Sequence, residues 1–232
     1  MSELLPSEQV NRDIPARPQI FEVPLRHMAA RLAAREPVKI VAIGSSSTAG
    51  ESDIVPYPQR LETFLRSHFR DATIGVFNRG KGGEEAKEEL ARFDSDVISA
   101  RPDVVIWQIG TNAVYQARDF TVVSEAIRCG LERLATIPAD VILMDLQYVP
   151  AVLTNSRMSQ AVRMVSEIER LAAAAGVNVF RRYDLMQRWH RHERVSFDRI
   201  VNSNDWERLH QSDWATDRIS WALFQVMLHA LH

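Results

Sequence analysis

The chain has one cysteine, Cys129, among its 232 residues, so it cannot form an intrachain disulfide bond or a metal site built from several cysteines. It also has no excess of charge of either sign, because 28 lysines and arginines face 30 aspartates and glutamates, for a net charge of -2. A surface that follows nucleic-acid phosphates or binds an anionic membrane needs a basic excess. We therefore expect no nucleic-acid partner.

Long apolar segments are also missing. No stretch approaches about 18 consecutive apolar residues, the length that signals a membrane span, and the N-terminal sequence has no basic segment followed by an apolar one, as a secretory leader would. The sequence as written predicts a protein without a transmembrane segment that resides in the cytoplasm. A periplasmic or secreted location is the alternative if a leader has been removed from a longer precursor.

Prolines are concentrated at one end of the sequence. Five of the ten lie within the first 37 residues, where they interrupt regular structure. We predict an N-terminal arm over residues 1–36 that ends in one short helix, in the apolar stretch from Leu25 to Ala34. The hydrophobic content of 46% suffices for a sizeable core, and we expect residues 37–232 to form a single domain.

From residue 38 onward, apolar runs alternate with helical patterns. VKIVAIG is typical of a strand buried on both faces, and YPQRLETFLRSHF has apolar residues at helical spacing. Further strands are predicted at ATIGVFN, DVVIWQIG, ADVILMDLQ and VNVF, with one helix over EEAKEELARFDSDVI and a last helix capped by Asp213. This alternation predicts an α/β fold, a flavodoxin-like three-layer sandwich whose five parallel strands take the order 2-1-3-4-5.

Glycines mark where a site should lie. Six of the nine follow the first three predicted strands: Gly44, Gly50, Gly80, Gly82, Gly83 and Gly110. In doubly wound sheets ligands bind outside the carboxyl ends of the strands, where the strand order reverses. The three glycine-bearing loops should therefore converge at one site.

The first loop, GSSSTAG, places small hydroxyl residues on a tight turn from strand to helix, where a nucleophilic serine could be exposed. A phosphate-binding loop is the alternative, but the loop lacks the lysine of the P-loop motif and the spacing of a dinucleotide fingerprint. The third loop adds Asn112, whose amide could stabilise an oxyanion or could serve as a turn residue.

A histidine, His210, lies just before the last predicted helix, three residues after Glu207 and five after Asp205. A general base in nucleophilic catalysis needs a carboxylate on its other ring nitrogen. The spacing permits that arrangement within one loop. A surface histidine without a role is the plain alternative.

Together these segments resemble the four sequence blocks of the SGNH, or GDSL-type, hydrolases, and the resemblance runs from about Val38 to the C-terminal helix. It implies a catalytic domain in which Ser46 is the nucleophile and His210 the base. It further implies an oxyanion hole made of the N–H groups of Ser46 and Gly83 and the side chain of Asn112. VAIGSSSTAG, IWQIGTNAV, LMDLQYVPAV and LHQSDW are similar to a bacterial subgroup of carbohydrate esterases.

Two positions depart from the family pattern. Ser45 stands where the family has the aspartate of its GDS turn, and Glu207 stands where it has the aspartate paired with the histidine. We choose Glu207 as the acid of the triad, with Asp205 as its rival. These departures also leave open a degenerate relative without activity.

The resemblance implies a serine esterase that removes small O-acyl groups, acetyl foremost, from a carbohydrate or another small-molecule ester. The resemblance also implies that this enzyme needs no metal or cofactor. A lipid or thioester hydrolase is the alternative within the enzyme class, and a glycan-binding module without activity is the alternative outside it. We predict substrate contacts from Gln147, Tyr148 and Trp206, with Trp214 a further aromatic candidate. The pair His190 and His192 could bind a metal, although a solvated basic helix end is the simpler interpretation.

Overall fold

The computed structural model describes residues 19–51 and 53–232. Residues 1–18 of the predicted arm and Ser52 lie outside the described residues. The described part of the chain forms one parallel sheet in the order β2-β1-β3-β4-β5, which confirms the predicted fold class. The strands are β1 Val38–Gly44, β2 Ile74–Gly80, β3 Val104–Gln108, β4 Asp140–Met144 and β5 Asn178–Phe180.

Helices lie on both faces of this sheet. They are α1 Arg26–Ala34, α2 Ser46–Ala49, α3 Tyr57–His68, α4 Ala86–Leu90, α5 Phe93–Asp96, α6 Thr111–Tyr115, α7 Phe120–Leu134, α8 Met158–Ala175, α9 Arg182–Arg191, α10 Phe197–Ile200 and α11 Asp213–His229. Helix α3 packs on α11, and α7 packs between α4 and α8. Right-handed crossovers place these two groups on opposite faces, because the chain moves one way from β1 to β2 and the other way from β2 to β5. None of the helices in residues 19–51 and 53–232 is long and apolar enough to cross a membrane.

The sequence pattern explains which strands are central. Every residue of β3 and of β4 is buried, as expected for apolar runs covered by helices on both sides. Strand β2 lies at an edge of the sheet, and only its first residue is fully buried; Phe77 in its middle is 42% exposed. The registers pair Gly44 at the end of β1 with Gly80 at the end of β2, which brings the first two glycine-bearing loops side by side.

Two local expectations were wrong. The segment predicted as one helix over residues 84–98 divides into α4, α5 and a short 3-10 helix. At the division Arg92 leaves helical geometry, and its guanidinium donates to Glu84 Oε2 and Asp96 Oδ2, each at 2.6 Å. The cap of α11 is Ser212, whose hydroxyl accepts the N–H of Ala215 at 3.1 Å, and Asp213 is the first residue of the helix instead.

Helix α1 packs at the amino ends of the strands, where it contacts β1 and β4. The carboxylate of Asp140, at the start of β4, accepts the N–H groups of His27 and Met28 at 3.2 and 2.9 Å. These are orphan donors of the first turn of α1, which a carboxylate satisfies well. Leu25, just before the helix, donates its N–H to Ala230 O at 2.8 Å. The two ends of the described chain are thereby joined beneath the sheet, away from the carboxyl ends of the strands.

A large aromatic side chain fills the core between the sheet and α7. Trp107 of β3 is fully buried, packs edge-on against Phe93, and donates its indole N–H to Glu89 Oε2 at 2.6 Å. Burial raises the pKa of Glu89 well above its usual range. Gly130 of α7 lies against the indole, and a Cβ at Gly130 would overlap the Trp107 ring.

Replacing Gly130 with alanine should therefore destabilise the protein. Alanine is the better helix former by about 0.5–1 kcal/mol, but overpacking a tight core costs typically about 1–3 kcal/mol. We expect Gly130→Ala to lower the free energy of unfolding, measured by urea denaturation. The control is Thr121→Ala on the exposed face of the same helix, which raises helix propensity without entering the core. A gain of stability in Gly130→Ala would contradict the close packing of Trp107.

Candidate active site

The first loop presents Ser46 at the start of α2, directly after β1. The turn is tight because α2 lies against the neighbouring strand: a Cβ at Gly80 would overlap the backbone of Ala49. Asn78 also holds α2 against β2, since its side-chain amide donates to Thr48 O at 2.7 Å. Glycine at the end of β2 is thus what allows the serine turn to rest on the sheet.

A glutamine from the central strand holds this turn from below. Oε1 of Gln108, the last residue of β3, lies 3.0 Å from Ser45 N and 3.1 Å from Ser45 Oγ. The same oxygen lies 3.0 Å from Ser47 Oγ and 3.1 Å from Thr48 Oγ1. Gln108 therefore holds the residues on both sides of Ser46 in place. It supports the turn at Ser45, the position at which the GDS turn has an aspartate.

His210 meets Ser46 across the edge of the sheet. Its Nε2 lies 3.1 Å from Ser46 Oγ, which is hydrogen-bonding distance. The loop that carries it is closed at its base, because Asn202 donates its N–H to His210 O at 2.9 Å and Val201 pairs with Gln211 in an antiparallel bridge. The side-chain amide of Gln147 also donates to Leu209 O, just before the histidine.

Asp205 is the carboxylate beside His210. Its Oδ2 lies 3.0 Å from His210 Nδ1 and accepts the N–H groups of Leu209 and His210 at 2.7 and 2.6 Å. Burial favours a higher pKa for Asp205, but these backbone N–H groups and the imidazole outweigh it, so that the pKa lies below its usual range. The carboxylate is accordingly ionised at neutral pH.

Glu207, our first choice for this position, points elsewhere. Its Oε1 accepts the hydroxyl of Tyr115 at 2.6 Å, and this bond raises the pKa of Tyr115. The expectation that Glu207 contacts His210 is wrong because the loop folds back on itself, so that Asp205 lies inside it. The alternative, Asp205, is the residue that the structure brings to His210.

A second carboxylate approaches the other side of the imidazole. Glu51 Oε1 lies 3.6 Å from His210 Nε2, the nitrogen that faces Ser46. The ring of His210 therefore stands between two acidic side chains.

Two of the predicted oxyanion residues, Gly83 and Asn112, are joined through the second loop, which reaches Ser46. Asn112, buried in α6, donates one of its two side-chain N–H bonds to Glu84 O at 2.7 Å, which leaves the second for a ligand. Gly83 has a positive φ of 79°, and no atom lies within 4 Å of where its Cβ would be. Neighbouring Gly82 is close enough that a Cβ there would lie 3.9 Å from Ser46 Cβ, so the second loop reaches the serine.

Behind the site lies a fully buried arginine, Arg182, the first residue of α9. It donates to Asp145 O and Ser47 Oγ, each at 3.0 Å, and to Thr111 Oγ1 at 3.4 Å. Burial lowers the pKa of Arg182 to about 10 and raises that of Asp145 well above its usual range. The arginine joins the serine loop to the asparagine loop, because Ser47 follows Ser46 and Thr111 precedes Asn112.

The three residues predicted to contact substrate differ in their exposure. Gln147 and Tyr148 are 2% and 1% exposed, and the Tyr148 hydroxyl accepts a hydrogen bond from Arg191 Nε at 2.9 Å. Both side chains are therefore part of the core, and the expectation that they contact substrate is wrong. Trp206 is 88% exposed and lies on the His210 loop, so it is available for a ligand.

The remaining aromatic and histidine candidates have structural partners. His190 stacks on Phe197 with ring centroids 3.8 Å apart, and its Nδ1 lies 3.0 Å from Val195 O. Trp214 packs edge-on against Trp189 and beneath the guanidinium of Arg199. Among residues 19–51 and 53–232, no cluster of three or more histidine, cysteine, aspartate and glutamate side chains could bind a metal.

Sequence reasoning missed the residues that support the site from within: Gln108, Arg182 and Glu85. For Gln108 the available signal was a polar residue at the end of an apolar run, VVIWQ, and for Arg182 it was a pair of arginines after a buried strand, VNVFRR, of which Arg182 is the second. Such residues must find partners inside the protein. The identity of those partners is a property of the tertiary structure.

Comparison with solved structures finds the same fold. Axe2, an acetylxylan esterase from Geobacillus stearothermophilus, superposes with a TM-score of 0.68 at 17% identity, over 84% of this chain and 94% of that chain. A catalytic mutant of Axe2 gives 0.70 at the same identity and coverage. A protein from Desulfitobacterium hafniense DCB-2, assigned to the G-D-S-L family, gives 0.66 at 19% identity, over 82% and 99% of the two chains.

Comparison with curated protein sequences finds no match. A family model described as the Non-GDSL lipase-like family, however, matches residues 12–232. This match covers nearly the whole chain and agrees with the strand order and with the resemblance of the four sequence blocks to SGNH and GDSL-type hydrolases. The chain belongs to the Non-GDSL lipase-like family.

Proposed function

We propose that the protein is a serine ester hydrolase that removes small acyl groups, acetyl foremost, from carbohydrate esters. The observation that carries this proposal is the continuous line of contacts from Ser46 Oγ through the imidazole of His210 to the carboxylate of Asp205, at 3.1 and 3.0 Å. Such a line is the arrangement that activates a serine for attack on an acyl carbon. Family membership and the fold of Axe2 agree with it.

In the first step Ser46 Oγ attacks the ester carbonyl carbon, and His210 Nε2 takes the hydroxyl proton. Asp205 keeps the other ring nitrogen protonated and stabilises the imidazolium that forms. His210 then gives the proton to the leaving alcohol oxygen as the bond from acyl carbon to alcohol oxygen breaks. An acyl-enzyme on Ser46 remains, and water activated by the same histidine hydrolyses it.

The negative charge on the carbonyl oxygen needs donors in each tetrahedral step. We assign this role to the N–H groups of Ser46 and Gly83 and to the free side-chain N–H of Asn112. The positive φ of Gly83 and the bond from Asn112 to Glu84 O fix two of these donors before the substrate arrives. Preorganised donors cost little reorganisation when the charge develops.

The space beside the nucleophile favours a short acyl group. A cavity of about 20 Å³ adjoins Ser46, His210 and Glu51, which is room for one water-sized or methyl-sized group. The larger cavities in the described part of the chain lie elsewhere: one of about 390 Å³ borders α1 beneath the sheet. An acetyl methyl group fits the space at the site, whereas a long acyl chain would have to lie outside it.

Support for a carbohydrate comes from the rim of the site. Trp206 presents an exposed indole on the histidine loop, and aromatic faces are suited to pack against sugar rings. The acetylxylan esterase activity of the structurally similar Axe2 agrees with this assignment. A polar rim that includes Glu51 and Glu207 suits hydroxyl groups better than a lipid surface.

The alternatives rest on the two departures from the family pattern. Ser45 and Glu207 motivated the hypothesis of a glycan-binding module without activity. In the structure Gln108 supports the serine turn and Asp205 lies at His210 Nδ1, so both missing functions have substitutes. The hypothesis of a lipid or thioester hydrolase remains as the outcome in which long acyl chains are preferred.

Ser46→Ala should reduce ester hydrolysis by ~10⁴-fold or more, as loss of a triad member does. The melting temperature should hardly change, because the substitution removes one hydroxyl. A fluorophosphonate should label the wild-type protein once, and peptide mass spectrometry should place the label on Ser46. Labelling of Ser45 or Ser47 would contradict the assignment.

The two carboxylates of the histidine loop should differ sharply in their effect on kcat. Asp205→Asn keeps the shape of the side chain but removes the charge that stabilises the imidazolium, so kcat should fall by up to about 10⁴-fold. Glu207→Gln is the matched control, because it lies on the same loop and contacts Tyr115 instead; we expect a change of a few-fold at most. The reverse order of effects would return the role to Glu207.

The preference for acyl length tests the substrate class. We expect kcat/KM for p-nitrophenyl acetate to exceed that for p-nitrophenyl octanoate by about tenfold or more, because the octanoyl chain cannot use the small cavity at Ser46. A preference for octanoate would favour the lipid hydrolase. Hydrolysis of neither ester, nor of acetylated xylooligosaccharides, by folded protein would favour the binding module.

A further inference from the structure

The second and third loops of the site meet at one buried side chain. Glu85 lies two residues after Gly83 and directly before α4, and it is 3% exposed. Its Oε1 accepts the N–H of Ala86 at 3.0 Å and that of Gly110 at 2.9 Å. Its Oε2 accepts the N–H of Ala113 at 2.7 Å. One carboxylate therefore bonds the start of α4 and the turn that carries Asn112.

Asn112 is enclosed by these bonds. Gly110 and Ala113 stand on either side of it in the sequence, and both donate to Glu85. The side-chain amide of Asn112 donates to the carbonyl of Glu84, which is the residue before Glu85. The backbone and the side chain of Asn112 are thus both fastened to the same short segment, which begins at Gly83.

We propose that Glu85 is a positioning residue for the oxyanion hole: its carboxylate fixes the distance and orientation between the Gly83 loop and the side chain of Asn112. The inference rests on the proposed esterase function, in which Gly83 and Asn112 are donors to the same oxygen. Donors held about 1 Å out of place lose much of their effect on the transition state. Glu85 acts through Asn112 and does not touch the substrate.

An ionised carboxylate suits this place because the groups that it contacts here are backbone N–H donors. It has two acceptor oxygens and no proton to place, whereas an amide would direct an NH₂ group at one of the donors. Burial raises the pKa of Glu85, and the three backbone N–H groups oppose that rise. A side chain that served only to cap α4 would not need to reach two residues of another loop.

The capping role can be separated from the positioning role. Aspartate is a favoured N-cap, so Glu85→Asp keeps a cap for α4, but it is one methylene shorter and cannot also reach Gly110 and Ala113. Glu88 completes the capping box by accepting the N–H of Glu85 at 3.2 Å. Glu88→Ala therefore disturbs the same helix start without touching the Asn112 turn, and it is the matched control.

We expect Glu85→Asp to lower kcat on p-nitrophenyl acetate by about 10- to 100-fold with KM nearly unchanged, a smaller loss than the 10²- to 10³-fold expected for Asn112→Ala. Glu88→Ala should stay within about twofold of the wild type. The decisive variant is Glu85→Asp combined with Asn112→Ala. If Glu85 acts through Asn112, the double variant should be no slower than Asn112→Ala alone.

Multiplying losses in the double variant would overturn the proposal, as would wild-type kcat in Glu85→Asp with a lowered melting temperature. If Glu85→Asp does not fold, Glu85→Gln provides the same test. An NMR measurement separates this inference from the esterase proposal: the side-chain amide resonances of Asn112 should shift in Glu85→Asp and not in Glu88→Ala. Unshifted resonances overturn the positioning role, whereas an inactive wild type that still shows the shift overturns only the esterase assignment.

Discussion

Polar groups buried at the carboxyl edge of the sheet must find their hydrogen bonds within the protein, and the site depends on this constraint. Gln108, Asn112 and Arg182 are 1%, 4% and 0% exposed, so bulk water does not reach these side chains. An unpaired buried polar group costs about 1–3 kcal/mol. Gln108, Asn112 and Arg182 are each bonded across loops for this reason. The hydrogen bonds that satisfy these three side chains also hold the loops of the site in place.

The same constraint explains how the chain departs from the GDSL-type sequence pattern at Ser45. A carboxylate in the serine turn would bring its own acceptor to the surrounding donors. With serine there, the acceptor comes from the neighbouring strand, through Gln108 Oε1. The geometry of the turn therefore depends on β3. Because the strand order places β3 beside β1, Gln108 can reach the serine turn.

Electrostatics at the imidazole follow from the closed loop. Asp205 is surrounded by N–H groups of its own loop, which keep it ionised and oriented toward His210. Glu207 accepts a hydrogen bond from the hydroxyl of Tyr115 at the end of α6 instead of contacting His210. The bond joins the histidine loop to the helix that carries Asn112, so the base and the oxyanion donor share one wall of the site.

The sequence by itself determined the order of the five strands, since apolar runs and helical spacing are local patterns, although the helix predicted over residues 84–98 is divided. It also determined which loops meet: the carboxyl ends of parallel strands share one edge, and the glycines of the first three loops lie there. Ser46, His210 and Asn112 could be named on these grounds and on family resemblance, and the structure places His210 Nε2 3.1 Å from Ser46 Oγ.

Only the tertiary structure decided which carboxylate faces His210. Sequence spacing gives separations along the chain, but the loop from Asn202 to His210 closes through a backbone bond, which places the fifth residue before the histidine closer than the third. Tertiary packing also decided that Gln147 and Tyr148 belong to the core and that Glu85 fastens two loops. Burial and cross-loop hydrogen bonds arise between segments distant in sequence, and no local pattern encodes them.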